Sequence, residues 1–308
     1  MTAATVRHVL RLGTRGSPLA LVQARMTRDA LCAAHGWTED RIEIVPVITA
    51  GDRIQDRPLA EIGGKALWTK ALDGALFAGD IDFAVHSLKD VETLRPAGIT
   101  IAAMLTRADV RDRLIGAASI AALKPGARVG TSSPRRAAQL LRLRPDLIIA
   151  PIRGNVATRL AKLEAGEADA TLLAAAGLDR LDQHNVGVAI EIDEMLPAAS
   201  QGAIGIECRT DDADMRALLD IIDCKTTRVA VFAERDLLAE LEADCHSPVG
   251  AYAMIRDGAL ILTAELLSGD GTLHVNGKIV VADSNSAALL ARQLLKSAPS
   301  ELRALFGK

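Results

Sequence analysis

The feature that most constrains the fold of this chain is an alternation of short apolar runs with amphipathic stretches of helical length. The run HVLRLGT precedes a stretch that begins with Ser17 as the helix cap, has Pro18 in its first turn and ends near Gly36. Further apolar runs are RIEIVPVI, IDFAVHS, ARVGTSS, LIIAPIR, ADATLLAA and VGVAIEI, with helices expected from about Lys65 and through RRAAQLLRL and VATRLAKLEAG. This alternation is typical of a parallel sheet with helices on its faces, so the first two thirds of the chain are predicted to be α/β.

The pattern changes after about Thr226. A long helix through RVAVFAERDLLAELEA precedes apolar runs in which the pairs Asp257-Gly258 and Asp270-Gly271 stand where hairpin turns belong. A small α+β domain with an antiparallel sheet is therefore expected at the C-terminus, one face of it covered by the last helical stretch. The predicted division is residues 1–105 with 200–222 as domain 1, 106–199 as domain 2 and 223–308 as domain 3.

Length and cysteine usage exclude several classes of protein. A chain of 308 residues can bury enough surface for two or three domains without disulfides, and its four cysteines have no framework spacing. No run approaches the roughly 20 apolar residues that span a bilayer, and the first residues lack the apolar core of a secretory signal. We expect reduced thiols, a cytoplasmic location and no membrane partner.

Arginine is used far more than lysine, because 27 of the 36 basic residues are arginine. Seven of them fall between Arg128 and Arg159, a window with no lysine and one acid, Asp146. This window predicts an anion site, with a solvated basic face or a coding bias as the alternatives. Stacking on nucleic-acid bases needs aromatic side chains, which make up only 2% of the chain, so small carboxylated or phosphorylated ligands fit better.

Four loops that follow predicted strands combine small residues with Arg or Lys. They are residues 14–20, 85–90, 130–136 and 152–159. In doubly wound sheets the loops at the carboxyl ends of the strands hold the ligand, and backbone N–H groups beside arginine form a cradle for carboxylate or phosphate. We interpret the four loops as parts of one binding cleft.

The segment LEADCHSPVG places Cys245 beside His246 directly after a helical run. The thiol could be a metal ligand, a nucleophile, half of a disulfide or a small buried side chain. Adjacent side chains diverge in an extended loop, and no second Cys/His pair has ligand spacing, so no metal is expected. The other three cysteines, Cys32, Cys208 and Cys224, are expected to be buried and inert.

Eight strings in the chain resemble the porphobilinogen deaminase family, also called the hydroxymethylbilane synthases. They are TRGSPLALVQA, GGKALWTKAL, VHSLKDV, GTSSPRRAAQL, IRGNVATRL, AAAGLDRL, SQGAIGIECR and ADCHSPVGAYA, in family order from about residue 10 to 255. The resemblance implies two domains like type II periplasmic binding proteins and a third with a cysteine loop. It also implies a monomeric transferase that joins four porphobilinogen units head to tail, releasing ammonia, on a dipyrromethane cofactor held by a thioether.

The resemblance also implies residue roles. Cys245 would anchor the cofactor, because a thiolate is a good nucleophile toward an electrophilic methylene-pyrrole. Asp90 would stabilise the cationic azafulvene left by ammonia loss and carry the ring proton. Further cofactor contacts fall on Lys89, Asp90, Ser17, Thr131, Ser133, Arg135 and Arg136. Substrate contacts fall on Arg15, Gln23, Arg153, Arg159, Arg180, Gln201 and Trp68.

The chain departs from the family pattern at a few positions. Trp68 replaces a phenylalanine, Glu92 a proline and Pro134 a leucine, while Ala243 and Asp244 replace two small residues before the cysteine. Two rival functions stay open at this point. One is a non-catalytic anion-binding module, and the other is a cysteine hydrolase that uses Cys245 with His86 or His246 as the base, although no oxyanion-hole signature accompanies it.

Overall fold

A computed structural model of the chain describes residues 9–47 and 69–307. The described residues form two compact units. The first is drawn from Met1–Val91, Arg95–Thr106 and Ile204–Lys225, and the second from Glu92–Leu94, Arg107–Ala203 and Thr226–Lys308. Within the two described ranges no helix has the length and apolar character needed to cross a membrane. The helix start expected near Lys65 lies outside the described residues.

The first unit contains a five-stranded sheet in the order β2-β1-β3-β10-β4. Its strands are β1 (Leu10–Arg15), β2 (Ile42–Val47), β3 (Phe83–Ser87), β4 (Ile99–Met104) and β10 (Ile204–Arg209), and its helices are α1 (Pro18–His35), α2 (Lys70–Ala78) and α6 (Ala213–Asp220). Strands β1, β2 and β3 are parallel, whereas β10 runs antiparallel to both of its neighbours. The sheet is therefore mixed rather than purely parallel.

Local sequence explains the first helix. The hydroxyl of Ser17 accepts a hydrogen bond from the backbone N–H of Ala20, Pro18 opens the helix, and Gly36 ends it in the left-handed conformation with φ 67°. Apolar residues of α1 and α6 pack on one face of the sheet, and those of α2 pack on the other. The predicted arrangement of helices on both faces is confirmed for this unit.

The second unit contains another mixed sheet, in the order β7-β6-β8-β5-β9. Its strands are β5 (Asp112–Ile115), β6 (Arg128–Gly130), β7 (Ile148–Ala150), β8 (Ala170–Ala174) and β9 (Val188–Ala189), and its helices are α3 (Pro134–Leu143), α4 (Val156–Glu164) and α5 (Ala175–Arg180). Strands β6, β7 and β8 are parallel, and β5 is antiparallel to β8 and β9. Side chains of Ser133 and Asn155 cap α3 and α4.

The second unit also contains the predicted C-terminal antiparallel sheet. It consists of β11 (Val249–Arg256), β12 (Ala259–Leu267) and β13 (His274–Val280), preceded by α7 (Lys225–Glu240) and followed by α8 (Ser286–Ser297) and α9 (Ser300–Arg303). Asp257 and Gly258 both have positive φ, as a tight hairpin turn requires. Apolar residues of α7 and α8 pack against the sheet. The α/β class with a small C-terminal α+β domain is confirmed, while the three domain boundaries stay a prediction.

Candidate functional site

In the first unit, Asp90 lies at the end of a short turn that follows β3. The turn spans Leu88–Asp90, with Leu88 fully buried and Asp90 exposed. A pocket of about 60 Å³ opens beside it. The pocket is lined by Arg15, Ser17, Leu19, Ala20, Gln23, Val85, His86, Ser87, Asp90 and Val91. Four of the residues predicted for the site, Arg15, Ser17, Gln23 and Asp90, are therefore brought together, and the half-buried Lys89 adjoins them in the turn.

The amide of Gln23 is fixed at the wall of this pocket. Its Nε2 donates to the hydroxyl of Ser87 at 2.7 Å, and that hydroxyl lies 3.1 Å from Oε1 of the same amide. Gln23 is buried, so these contacts satisfy polar atoms that have left water. Ser17 serves as the cap of α1 at the same wall. The pocket thus combines a fixed amide and a helix N-terminus with one arginine and one carboxylate.

Next to the pocket lies a buried ionic cluster that sequence reasoning missed. The carboxylate of Glu207 accepts from Nε of Arg95 at 2.8 Å and from its Nη2 at 3.0 Å. Nε2 of His86 lies 3.1 Å from the same carboxylate, at ion-pair distance but without the linear geometry of a hydrogen bond. Burial raises the pKa of Glu207, but His86 and Arg95 outweigh it and lower the pKa to about 2. The carboxylate is therefore ionised in the fold.

In the second unit, a buried carboxylate gathers three of the predicted residues. Asp112 accepts from Nη2 of Arg135 at 2.9 Å, from Nη2 of Arg136 at 2.6 Å and from Nε2 of Gln201 at 2.9 Å. The other terminal nitrogen of Arg135 donates to Gln139 and to the carbonyl of Leu196. Burial lowers the pKa of Arg135 despite this carboxylate. The side chain of Asp112 was not anticipated, since a single acid at the start of a strand has no distinctive local pattern.

The Nε atoms of Arg135 and Arg136 are buried and have no hydrogen-bond partner among the described residues. Arg180 is similar, since its Nη2 donates to the carbonyl of Gly202 at 2.7 Å while its Nε is buried without a partner in the described part of the chain. Burial lowers the pKa of Arg180 to about 10. A nearby anion could accept charge-assisted hydrogen bonds from these guanidinium groups.

The remaining predicted residues of this unit lie in the loops after β6 and β7. Thr131 is buried, and its hydroxyl accepts from the backbone N–H of Ser133. Arg153 and Arg159 are half-buried, and Nε of Arg159 donates to the carbonyl of Gly154. Trp68 lies outside the described residues.

Cys245 stands at the tip of a tight turn between α7 and β11. The carboxylate of Asp244 accepts from the N–H of His246 at 2.8 Å, and the hydroxyl of Ser247 accepts from the N–H of Asp244 at 3.1 Å. The thiol is exposed, and the backbone on both sides is fixed by these side chains. This turn therefore exposes Cys245 to solvent between residues that are hydrogen-bonded to one another.

The other cysteines are less accessible. Cys32 and Cys208 are buried, as expected, and burial raises the pKa of Cys208 to about 11. Cys224 is half-buried, which differs from the expectation of full burial. All four cysteines lie in the described part of the chain as thiols rather than disulfides. No group of three or more His, Cys, Asp or Glu side chains within residues 9–47 and 69–307 could hold a metal ion.

Comparison with protein-family models gives two matches. Residues 10–217 match the model described as "Porphobilinogen deaminase, dipyromethane cofactor binding domain", and residues 228–298 match "Porphobilinogen deaminase, C-terminal domain". This chain belongs to the porphobilinogen deaminase family. The resemblance first inferred from short strings is confirmed over most of the chain.

Curated relatives extend this result. The chain is 60% identical to porphobilinogen deaminase of Sphingopyxis alaskensis, with 98% of each chain covered. It is 48% identical to that of Paracoccus denitrificans, with 96% of each covered, and 48% identical to the chloroplastic enzyme of Oryza sativa, with 86% of this chain and 75% of the relative covered. Among solved structures it is similar to substrate-binding domain 2 of Lactococcus lactis GlnP, at 10% identity and a TM-score of 0.44 over 72% of this chain and 89% of the other.

Proposed function

We propose that the chain joins four porphobilinogen units head to tail into hydroxymethylbilane and releases ammonia at each addition. The family match to a cofactor-binding domain over residues 10–217, together with an exposed Cys245 in a hydrogen-bonded turn, carries this proposal. The carboxylate of Asp90 at the pocket of the first unit supports it, and so do the buried Nε donors of Arg135, Arg136 and Arg180 in the second unit, because porphobilinogen brings both an amine to expel and acid arms to bind. A purely anion-binding module would not require the exposed Cys245.

The described residues fit a dipyrromethane. Its acid arms suit guanidinium groups, and Nε of Arg136 and of Arg180 are buried donors without partners in the described part of the chain. We propose Cys245 as the covalent anchor, with Lys89, Asp90, Ser17, Thr131, Ser133, Arg135 and Arg136 as contacts. When bound, the cofactor supplies the free α-carbon from which the product grows.

Asp90 is proposed as the catalytic residue. Loss of ammonia from porphobilinogen leaves a cationic azafulvene, and an exposed carboxylate at the pocket can stabilise that charge. After the new carbon–carbon bond forms, a proton leaves the ring carbon, and the same carboxylate can accept it. Binding of the substrate is assigned to other groups, namely Arg15, Gln23, Arg153, Arg159, Arg180, Gln201 and Trp68.

Location and assembly belong to the same proposal. Four thiols outside disulfides are typical of a reducing compartment, so the protein is proposed to act in the cytoplasm. It is proposed to act as a monomer on a small-molecule substrate, without nucleic acid, membrane or metal as a partner.

The intact mass of the purified protein under denaturing conditions tests the anchor. Wild type should carry a covalent excess equal to two pyrrole units, and Cys245→Ser should lose both the excess and nearly all activity, since a hydroxyl is a far weaker nucleophile than a thiolate. Cys224→Ser is the matched control, because Cys224 is the most accessible of the other thiols. An excess that survives in Cys245→Ser, or disappears in Cys224→Ser, would contradict the assignment.

A further inference from the structure

One buried carboxylate holds both ends of the segment that contains Asp90. Glu207 lies on β10, fully buried, and is remote from Asp90 in sequence. Its Oε2 lies 3.1 Å from Nε2 of His86, which precedes Asp90 by four positions. Its Oε1 accepts from Nε of Arg95 at 2.8 Å, and Arg95 follows Asp90 by five positions. A single carboxylate therefore contacts the segment on both sides of Asp90, through hydrogen bonds from Arg95 and a 3.1 Å approach to His86.

The register of the sheet explains this geometry. In the antiparallel pairing of β10 with β3, Gly205 stands opposite His86. Glu207 is two residues further along β10, so its side chain shares a face with position 205 and is a diagonal neighbour of His86. A Cβ at Gly205 would lie only 2.3 Å from Cδ2 of Leu88, the first residue of the Asp90 turn. On one face of β10, the missing side chain of Gly205 leaves space for Leu88, and Glu207 places its carboxylate beside His86.

Arg95 is fixed by a second acid. Its Nη2 donates to Oε2 of Glu207 at 3.0 Å and to Oδ1 of Asp73, on α2, at 2.5 Å. Arg95, Asp73 and Glu207 all have nearly buried side chains. Because buried charges are costly when unpaired, a movement of Arg95 away from either carboxylate would be unfavourable, and this opposes displacement of the chain that follows Asp90.

We propose that Glu207 is a positioning residue that sets where the carboxylate of Asp90 stands in the pocket. Glu207 acts through His86 and Arg95, since it is fully buried while His86 lines the pocket. The inference rests on the proposed role of Asp90. Misplacement of a reacting group by about 1 Å can cost about a hundredfold in rate, so the loss belongs in kcat rather than in KM.

The test compares Glu207→Gln with Asp82→Asn. Asp82 is a matched control, because it is a nearly buried acid just before β3 that accepts from Arg11, beyond the end of the strand opposite to Asp90. In protein shown by mass to carry its cofactor, Glu207→Gln should lower kcat by about 30-fold to 100-fold with KM within about threefold, and Glu207→Asp should recover part of kcat. Hydrogen exchange of the amides of residues 88–91 should speed up in Glu207→Gln and stay unchanged in Asp82→Asn.

Equal losses of stability in both variants, with kcat and the exchange rates within about twofold of wild type, would overturn the proposal. If Glu207→Gln does not fold, Asp73→Asn and Gly205→Ala replace it, and each must speed exchange in residues 88–91 and lower kcat for the proposal to stand. The exchange measurement does not depend on chemistry at Asp90. Full activity of Asp90→Asn would therefore refute the proposed catalytic role, while the exchange data would still decide whether Glu207 holds the turn.

Discussion

Both units contain a buried carboxylate that contacts cationic side chains, Glu207 in the first and Asp112 in the second, but the two clusters differ in their balance of charge. In the first unit, Glu207 contacts Arg95 and His86, and Arg95 also binds Asp73. In the second unit, Asp112 binds both Arg135 and Arg136. The first cluster thus pairs two acids with one arginine and a histidine, whereas the second pairs one acid with two arginines.

We propose that this difference reflects separate tasks of the two units. The second cluster keeps an excess of permanent positive charge and unpartnered Nε donors, and both features favour an incoming carboxylate. The first cluster has no such excess among its four side chains, and it lies beside a pocket whose exposed acid is Asp90. In this proposal the chemistry belongs to the first unit, and binding of the acid arms belongs mainly to the second.

The largest effect is expected at Asp90. Asp90→Asn keeps the size of the side chain but removes its charge and basicity, so porphobilinogen consumption should fall by at least about a thousandfold. Ammonia release by protein carrying its cofactor is the measurement. Asp80→Asn, which changes an exposed acid beyond the opposite end of β3, should be silent. Activity of Asp90→Asn within about tenfold of wild type would contradict the catalytic role proposed for Asp90.

The next effect concerns Asp112 and stability. Asp112→Ala leaves two buried guanidinium groups without their carboxylate, which should lower the free energy of unfolding by about 3 to 5 kcal/mol. Urea unfolding is the measurement. Asp146→Ala removes an exposed acid that also pairs with an arginine, and it should leave stability nearly unchanged. Similar small effects at both positions would mean that the Asp112 cluster is not the organising centre of the second unit.

A smaller loss is expected when only the shape of a cation changes. Arg135 donates to three acceptors through a planar fork, so Arg135→Lys should lose contacts worth about 1.5 to 3 kcal/mol although the charge remains. Unfolding free energy and porphobilinogen consumption should both fall. Arg292→Lys, on the exposed face of α8, is the control. Equal tolerance at the two sites would reduce the arginine-rich window to a solvated surface.

The smallest effect depends on pH and concerns the first unit. The pKa of Glu207 lies near 2 in the fold, below its ordinary value of 4.5, so its ionised form stabilises the protein above pH 4.5. That contribution is lost as the pH falls toward 2, and about 2 kcal/mol of it should be gone at pH 3. The difference in unfolding free energy between wild type and Glu207→Gln should shrink by this amount between pH 6 and pH 3. A constant difference would contradict the pairing.

Much of the fold follows from local sequence. Ser17, Pro18 and Gly36 determine the ends of α1, and Asp257-Gly258 determines a hairpin, because caps and turns depend on a few adjacent residues. Strand β10 was not predicted, although its string SQGAIGIECR was recognised as a family motif. The strands that pair with it, β3 and β4, are remote in sequence, and no local pattern predicts this antiparallel pairing.

The site shows the same limit. Strand-exit loops predicted the residues that line the pocket, such as Arg15 and Asp90, because a loop after a strand can be identified from sequence. Glu207 and Asp112 were not predicted as site residues. The role of an acid inside an apolar run depends on its partner, which local sequence does not identify. Arg95 lies 112 residues from Glu207, and Arg135 lies 23 residues from Asp112.

Binding of porphobilinogen to Asp90→Asn, measured by titration calorimetry, tests the division of tasks most directly. This variant should turn over too slowly to interfere, and it should still bind porphobilinogen, because the arginines remain. Adding Arg180→Lys should weaken that binding by at least about tenfold, since a charge-assisted contact contributes about 1.5 to 3 kcal/mol. Failure of Asp90→Asn to bind porphobilinogen, or unchanged binding after the Arg180 substitution, would contradict the account.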